Sequence, residues 1–231
     1  MWHRSPRSPS DIGEGGGETL ADHVEAIKHA VIGGKHREIK GMVQQALDAG
    51  LDPSTIINDA LIAAMDVVGK DFGSGKIFVP EMLVAAVTMK NGLDVVKPLL
   101  AGDQDQSRGT VIMATVKGDL HDIGKNLVSM MLEGAGFNVI DLGVDLSVEK
   151  LLEKVKEIKP QVLGLSALLT TTMPEMKRVI EELEAQGMRE SLKVMVGGAP
   201  VDRAFAEKIG ADGYGANAAE AVELARRFAG V

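Results

Sequence analysis

Between residues 110 and 228, short apolar runs alternate five times with helical patterns, and this alternation restricts the fold more than any other feature of the chain. Strands are expected at 110–116, 138–142, 162–166, 194–197 and 213–214, with helices at 125–133, 148–158, 173–186, 203–208 and 219–228. Strand and helix patterns in strict alternation, joined by short loops, build an open parallel sheet with helices on both faces. Ligands of such sheets bind beyond the carboxyl ends of the strands.

The loop after the first expected strand carries the most chemistry. It reads Lys117-Gly118-Asp119-Leu120-His121-Asp122-Ile123-Gly124-Lys125-Asn126 and feeds directly into a helical pattern. Asp119 and His121 are two apart, and in an extended segment residues at that spacing point to the same side. A carboxylate on one ring nitrogen of an imidazole fixes its tautomer and raises the basicity of the other, as a metal-ligating histidine requires. A solvated histidine or a helix cap would show the same residues, so the pair alone does not decide. The chain has no cysteine, and His3, His23, His29 and His36 are the other histidines. Zinc takes about four protein ligands, or three and a water, which this donor set does not offer. One histidine suffices where the metal arrives already held by a macrocycle, and that points to a tetrapyrrole-like cofactor.

Composition narrows the partners. At 231 residues the chain holds one large domain or two small ones, and 45% apolar residues supply ample core. A formal charge of −8 argues against nucleic acid, since phosphate binding needs a basic face. No apolar run approaches the ~20 residues that span a bilayer, and the lack of cysteine fits a reducing, cytoplasmic setting. Gly-x-Gly-x-x-Gly and Gly-x-x-x-x-Gly-Lys-Ser/Thr are both missing, which sets aside dinucleotide and phosphate-loop sites. Residues 1–18 are rich in Ser, Pro and Gly without an apolar core, so they read as a disordered leader and not as a secretory signal.

Residues 19–101 are helical in pattern throughout. Leu20, Val24, Ile27 and Val31 recur at three-to-four spacing up to Gly33-Gly34, and Ile39, Val43, Ala46 and Leu47 follow in a second helix closed by Gly50. Asp52-Pro53 opens a third helix with a carboxylate cap and a first-turn proline, and a fourth runs from Pro80 to Val96. Short connections predict an antiparallel four-helix bundle. Residues 102–107 read as a linker, which leaves 108–231 for the sheet domain. Before the fourth helix, residues 71–82 gather Phe72, Ile77, Phe78 and Val79 around two glycines, by pattern alone a hydrophobic staple and a core-facing loop. After the third strand, Thr172-x-x-Glu175 has the form of a capping box. After the fourth, Gly197-Gly198-Ala199-Pro200 offers backbone unobstructed by side chains.

Asp119-x-His121-x-x-Gly124, followed by Lys125-Asn126, resembles the signature of the cobalamin-binding domain in methionine synthase and the corrinoid methyl-carrier proteins. The likeness runs in the same order through nearly everything after about residue 20. It implies a helical-bundle cap followed by a flavodoxin-like (Rossmann-type), doubly wound parallel sheet of five strands. It also implies that the cofactor, cobalamin or a related corrinoid, binds base-off and His-on, with its own base displaced and His121 on the lower face of cobalt. Gly118, Leu120, Asp122, Ile123 and Gly124 would surround that ligand, and Asp119 would orient it and hold or release a proton. Ser166, Leu168 and Thr170, with Gly197, Gly198 and Ala218, match positions around the displaced nucleotide tail. Phe72, Val79 and Met82 match residues of the cap that cover the methyl-bearing face. Thr172 matches the hydroxyl residue that completes a His–Asp–Ser relay in methionine synthase, here a threonine.

For function the resemblance implies a methyl shuttle. A substrate-specific methyltransferase would load the cobalt, and a second methyltransferase would pass the methyl group to a thiol or to tetrahydrofolate. A separate reductive activase and a cap that moves during turnover belong to the same expectation. With 231 residues there is no room for the substrate and reactivation domains of a methionine synthase, so a carrier subunit is expected and not a complete enzyme. Two alternatives stay open: the cobalamin module of an adenosylcobalamin mutase, and a cobalamin sensor without turnover. Such mutase modules lack a cap of the 72–82 type, and such sensors usually carry a basic DNA-reading helix, which is not visible here.

Overall fold

The computed structural model describes residues 19–100 and 107–231. The leader assigned to residues 1–18, and all but the last residue of the 102–107 linker, lie outside the described residues.

The amino-terminal unit is built from helices whose ends follow ordinary cap chemistry. Thr19 and Asp22 form a reciprocal capping box at the start of α1 (Leu20–Ile32), and the helix is followed by Gly34 in the left-handed region. α2 (Ile39–Asp48) follows after a turn. The Asp52 carboxylate accepts from the N–H groups of Ser54 and Thr55, at 2.9 and 3.2 Å, and Pro53 opens α3 (Pro53–Thr55), as the Asp-Pro pair predicts. α3 runs on through a π-wound stretch (Ile56–Ile62) into α4 (Ala63–Gly73), and α5 (Val79–Val96) completes the set.

The π stretch was not legible in the sequence, and it has a consequence for packing. A wider turn advances each residue through a smaller angle, so Ile56, Ile57, Ala60, Leu61 and Ile62 spread over a narrower arc. All five are buried. Ile62 thereby reaches the backbone at Gly136, where a Cβ would lie 2.5 Å from the Ile62 Cδ1.

The second unit is the sheet. Five strands pair in parallel in the order β2-β1-β3-β4-β5: β1 (Thr110–Thr115), β2 (Asn138–Asp141), β3 (Val162–Ser166), β4 (Lys193–Gly197) and β5 (Gly213–Tyr214). Period-two alternation divides each strand between two cores. Ile112, Leu163 and Val194 face α7 (Val148–Ile158), α8 (Pro174–Ala185) and α9 (Arg203–Lys208). Val111, Met113, Val162 and Met195 face α6 (Ile123–Gly134), α10 (Ala218–Ala229) and the amino-terminal helices. The order reverses between β1 and β3, and doubly wound sheets bind ligands at that crevice.

The helical unit and the sheet unit share one core. Met65 of α4 lies over Gly134 of α6, where a Cβ would meet the Met65 Cε at 2.7 Å. At the edge of this contact Asp66 of α4 pairs with Arg226 of α10, and Arg108 stands 3.8 Å from the same carboxylate.

Candidate functional site

The site grows out of the carboxyl end of β1. Thr115, fully buried, donates through its hydroxyl to the carbonyl of His121 at 3.0 Å and pins the loop against the strand that precedes it. Gly118 takes φ +82, a left-handed turn that a side chain would strain, and lets the chain fold back beneath Thr172. The turn is clasped from the β2–α7 loop. Asp145 accepts from the Gly118 N–H at 2.8 Å, pairs with Lys117 at 3.0 Å, and donates its own N–H to the Asp119 carbonyl at 2.9 Å. The Gly118 and Lys117 contacts hold the Asp145 carboxyl below the usual carboxylate range. Asp145 does this at φ +52, a left-handed conformation uncommon outside glycine.

That turn places Asp119 between the ends of β1 and β3 with no exposed surface. Its Oδ1 accepts from the His121 N–H at 3.1 Å and meets the His121 Nδ1 at 2.7 Å. Its Oδ2 accepts from the N–H groups of Leu168 and Leu169, at 2.7 and 3.2 Å, and from the Thr172 hydroxyl at 2.7 Å. Burial by itself would push this carboxyl up. The hydrogen bonds from Leu168, Thr172 and His121 outweigh burial and hold it far below the usual range. A carboxylate that is ionised accepts only, so the His121 Nδ1 donates to it, and Nε2 is the ring nitrogen outside that contact. The His121 side chain is 52% exposed. Among the described residues no three His, Asp or Glu side chains gather closely enough to hold a metal by themselves.

The capping box expected from Thr172-x-x-Glu175 does not form. α8 begins at Pro174, its cap residue Met173 makes no side-chain cap bond, and the Thr172 hydroxyl is turned instead to Asp119 and to the Leu169 carbonyl. A buried carboxylate is a stronger acceptor for the Thr172 proton and the neighbouring strand brings it within reach. Further along the loop, the buried Lys125 pairs with Asp141 at the end of β2 and donates to Asn126 at 2.9 Å, and Asn126 donates to Asp122 at 3.0 Å. These bonds anchor the first turn of α6.

Beside His121 opens a cavity of about 720 Å³ that descends between the sheet and α10. Leu120, His121, Asp122, Ile123 and Gly124 line it from the loop. Ser166, Leu168, Gly197 and Gly198 line it from the strand ends, Ala218 from α10, and Phe72 from α4. Gly198 takes φ +126, and a Cβ there would lie 1.8 Å from the Ala167 carbonyl oxygen, so only glycine fits. Gly118, Asp119 and Thr172 stand behind the loop and outside the lining. Thr170 is exposed and does not line the cavity. Met82 is sealed within the helical core and Val79 is exposed at the start of α5, and neither reaches the lining.

Several contributors were not singled out from the sequence. Leu169 and Asp145 act through backbone and across loops, and no local pattern marks them. Gly164, Met113 and Met195 also line the cavity. Gly164 carried a signal, because a glycine inside a buried strand marks a close approach of another group.

The parallel sheet thus carries one histidine, oriented by a buried carboxylate, beside a cavity at the carboxyl ends of its strands. Residues 109–223 match the family model described as the B12 binding domain, and residues 24–97 match a second model of the same description. Trimethylamine corrinoid protein 2 of Methanosarcina mazei is 47% identical over 183 residues, 78% of this chain and 84% of its own length. Dimethylamine corrinoid protein 1 of Methanosarcina acetivorans is 45% identical over 206 residues, 89% of this chain and 96% of its own. Among solved structures, the methanol:cobalamin methyltransferase complex MtaBC from Methanosarcina barkeri matches with a TM-score of 0.83 at 34% identity, covering 90% of this chain and 80% of that one. The chain belongs to the B12-binding corrinoid proteins of methyltransferase systems, which carry methyl groups between methyltransferases.

Proposed function

We propose that this chain binds its corrinoid base-off and His-on, with the His121 Nε2 as the lower axial ligand of cobalt and the displaced nucleotide tail in the cavity below. The observation that carries the reading is the pairing at 2.7 Å between His121 Nδ1 and a buried, fully hydrogen-bonded Asp119, which orients the ring and leaves Nε2 as the nitrogen for the metal. The slot suits a bulky tail because Gly197 and Gly198 present no side chains along that part of its wall. When bound, the corrinoid supplies a cobalt centre that accepts a methyl group from one protein and yields it to another.

The residues of this chain then have separate tasks. Asp119 holds the imidazole in one tautomer, and the amides of Leu168 and Leu169 with the Thr172 hydroxyl keep that carboxylate charged. Exposed apolar side chains at Leu120 and Ile123 suit the face of a macrocycle and need no polar partner. Phe72 stands at the cavity as the cap residue nearest the site, and Val79 and Met82 would reach the upper face only with a shift of the segment between α4 and α5. Residues 19–101 serve as the cap and 108–231 as the cobalamin domain.

The relatives named for trimethylamine and dimethylamine favour a methylamine as the methyl donor, bound on a substrate-specific methyltransferase. The second partner delivers the methyl group to a thiol or to tetrahydrofolate, and a reductive activase is a third. Among the described residues no helix is long and apolar enough to cross a membrane, and the chain is assigned to the cytoplasm. No observation favours the mutase-module or sensor reading.

The test is an absorbance titration of the protein with hydroxocobalamin, paired with electron paramagnetic resonance of the reduced, loaded protein carrying ¹⁵N-histidine. A change of the nitrogen splitting with the isotope, and its loss in His121→Ala, is the expected result. Splitting that ignores the label would refute the axial role of His121 and leave corrin binding standing.

A further inference from the structure

The bottom of the cavity is a row of three residues in register across the central strands: Met113 on β1, Gly164 on β3 and Met195 on β4. The two methionine side chains lean over the glycine between them. A Cβ at Gly164 would lie 2.4 Å from the Met113 Sδ and 3.1 Å from the Met195 Cε, so the sulfur-bearing tips occupy the space that any larger residue would claim. Both methionines are nearly inaccessible from outside, at 4% each. Ser166 lies two residues further along β3, on the same face and nearer the mouth.

The polar side chains along the cavity are mostly committed elsewhere. Lys125 pairs with Asp141, Asp122 accepts from Asn126, and Asn217 is bound to Glu220 as the cap of α10. Beyond those, Ser166 and Tyr214 are the polar liners near the strand ends, and the floor itself is thioether and glycine. A site that hydrogen-bonds its ligand can reject an analogue by about 10⁴-fold, whereas an apolar wall discriminates by only about 10 to 200-fold. Methionine adds adjustability, since its unbranched side chain repacks around different shapes.

We infer that Met113, Gly164 and Met195 form an adjustable floor that sets which lower bases of the corrinoid tail this protein accepts. The floor presents no polar pattern and repacks around bases of different shape, so benzimidazole, purine and phenol bases are held alike. The inference rests on the tail-in-cavity reading above.

Binding of the full chain to four probes tests it by absorbance titration: cobalamin, an adenine-tailed cobamide, a p-cresol-tailed cobamide, and cobinamide, which lacks the tail. The three tailed forms should bind within about tenfold of one another, each at least about tenfold tighter than cobinamide. Gly164→Ala should weaken the tailed forms about tenfold or more and leave cobinamide unchanged. Met195→Ile keeps an apolar floor but stiffens it, and should spread the three tailed affinities beyond tenfold. A wild-type preference above about 100-fold for one base, or unaltered relative affinities in Met195→Ile, would overturn the adjustable floor. Cobinamide binding as tightly as cobalamin would also overturn it while leaving corrin binding intact. Binding of no probe would remove the corrinoid reading, and this inference with it.

Discussion

Replacing Thr172 by valine removes one hydroxyl from the site and little else. The side chain is buried, its Oγ1 lies 2.7 Å from the Asp119 Oδ2, and the Leu169 carbonyl stands 2.9 Å away as a second acceptor. A hydrogen bond to a charged group contributes about 1.5–3 kcal/mol. Asp119 Oδ2 keeps two amide donors in the variant, which places the loss near the lower end, about 1.5–2 kcal/mol. For a chain of this size that corresponds to a fall in Tm of roughly 3–8 °C. Thr172→Ser retains the donor and should lose less than about half as much. The pH dependence has a definite sign. Asp119 is depressed in the folded state, so its contribution is complete above the ordinary aspartate value of about 3.9 and is lost as pH falls through the folded value. The variant has the weaker depression, starts lower and loses less on acidification, so the two stability curves converge in strong acid. Urea unfolding followed by circular dichroism from neutral to acid pH measures this. Equal stability of Thr172→Val and wild type at neutral pH would refute the assignment of the Thr172 proton to Asp119.

Three further outcomes follow from the geometry. Gly198→Ala places a Cβ 1.8 Å from the Ala167 carbonyl oxygen at a φ that disfavours side chains, so a loss above about 3 kcal/mol is expected; an unchanged Tm would contradict the close approach. Asp66→Asn leaves Arg226 and Arg108 without their shared carboxylate where α4 meets α10, and should cost about 1–3 kcal/mol. Hydrogen exchange should rise in α4 and α10 together, and exchange confined to one of them would show that the pair does not join the two units. His121→Ala should abolish the nitrogen signal of the loaded protein and, by taking from the buried Asp119 its side-chain donor at 2.7 Å, cost about 1.5–3 kcal/mol of unfolding stability; an unchanged stability would show that the ring does not hold that carboxylate.

Much of the fold was readable because it depends on local periodicity. The alternation after residue 110 located all five strands, and the Asp52-Pro53 pair located the start of α3, since caps and first-turn prolines act within a few residues. Spacing also marked Asp119 and His121 as facing one another. Thr172 shows where this kind of reading stops. Its sequence neighbours suit a capping box, yet its hydroxyl goes to a carboxylate 53 positions earlier in the chain. Met82 and Phe72 both belong to the apolar pattern of the 71–82 segment, but one is sealed in the helical core and the other lines the cavity.

By itself the sequence determined which segments are strands and helices, which loop bears the imidazole, and which of its neighbours orients it, because each of these depends on residues within a few positions. The tertiary structure decided what no local pattern encodes. Placing β3 beside β1 brings the Leu168, Leu169 and Thr172 donors onto Asp119 and makes its burial tolerable. Placing β1, β3 and β4 in register puts two methionines over one glycine and gives the cavity its floor. Both depend on strand order and register, which are properties of the assembled sheet and of no single stretch of chain.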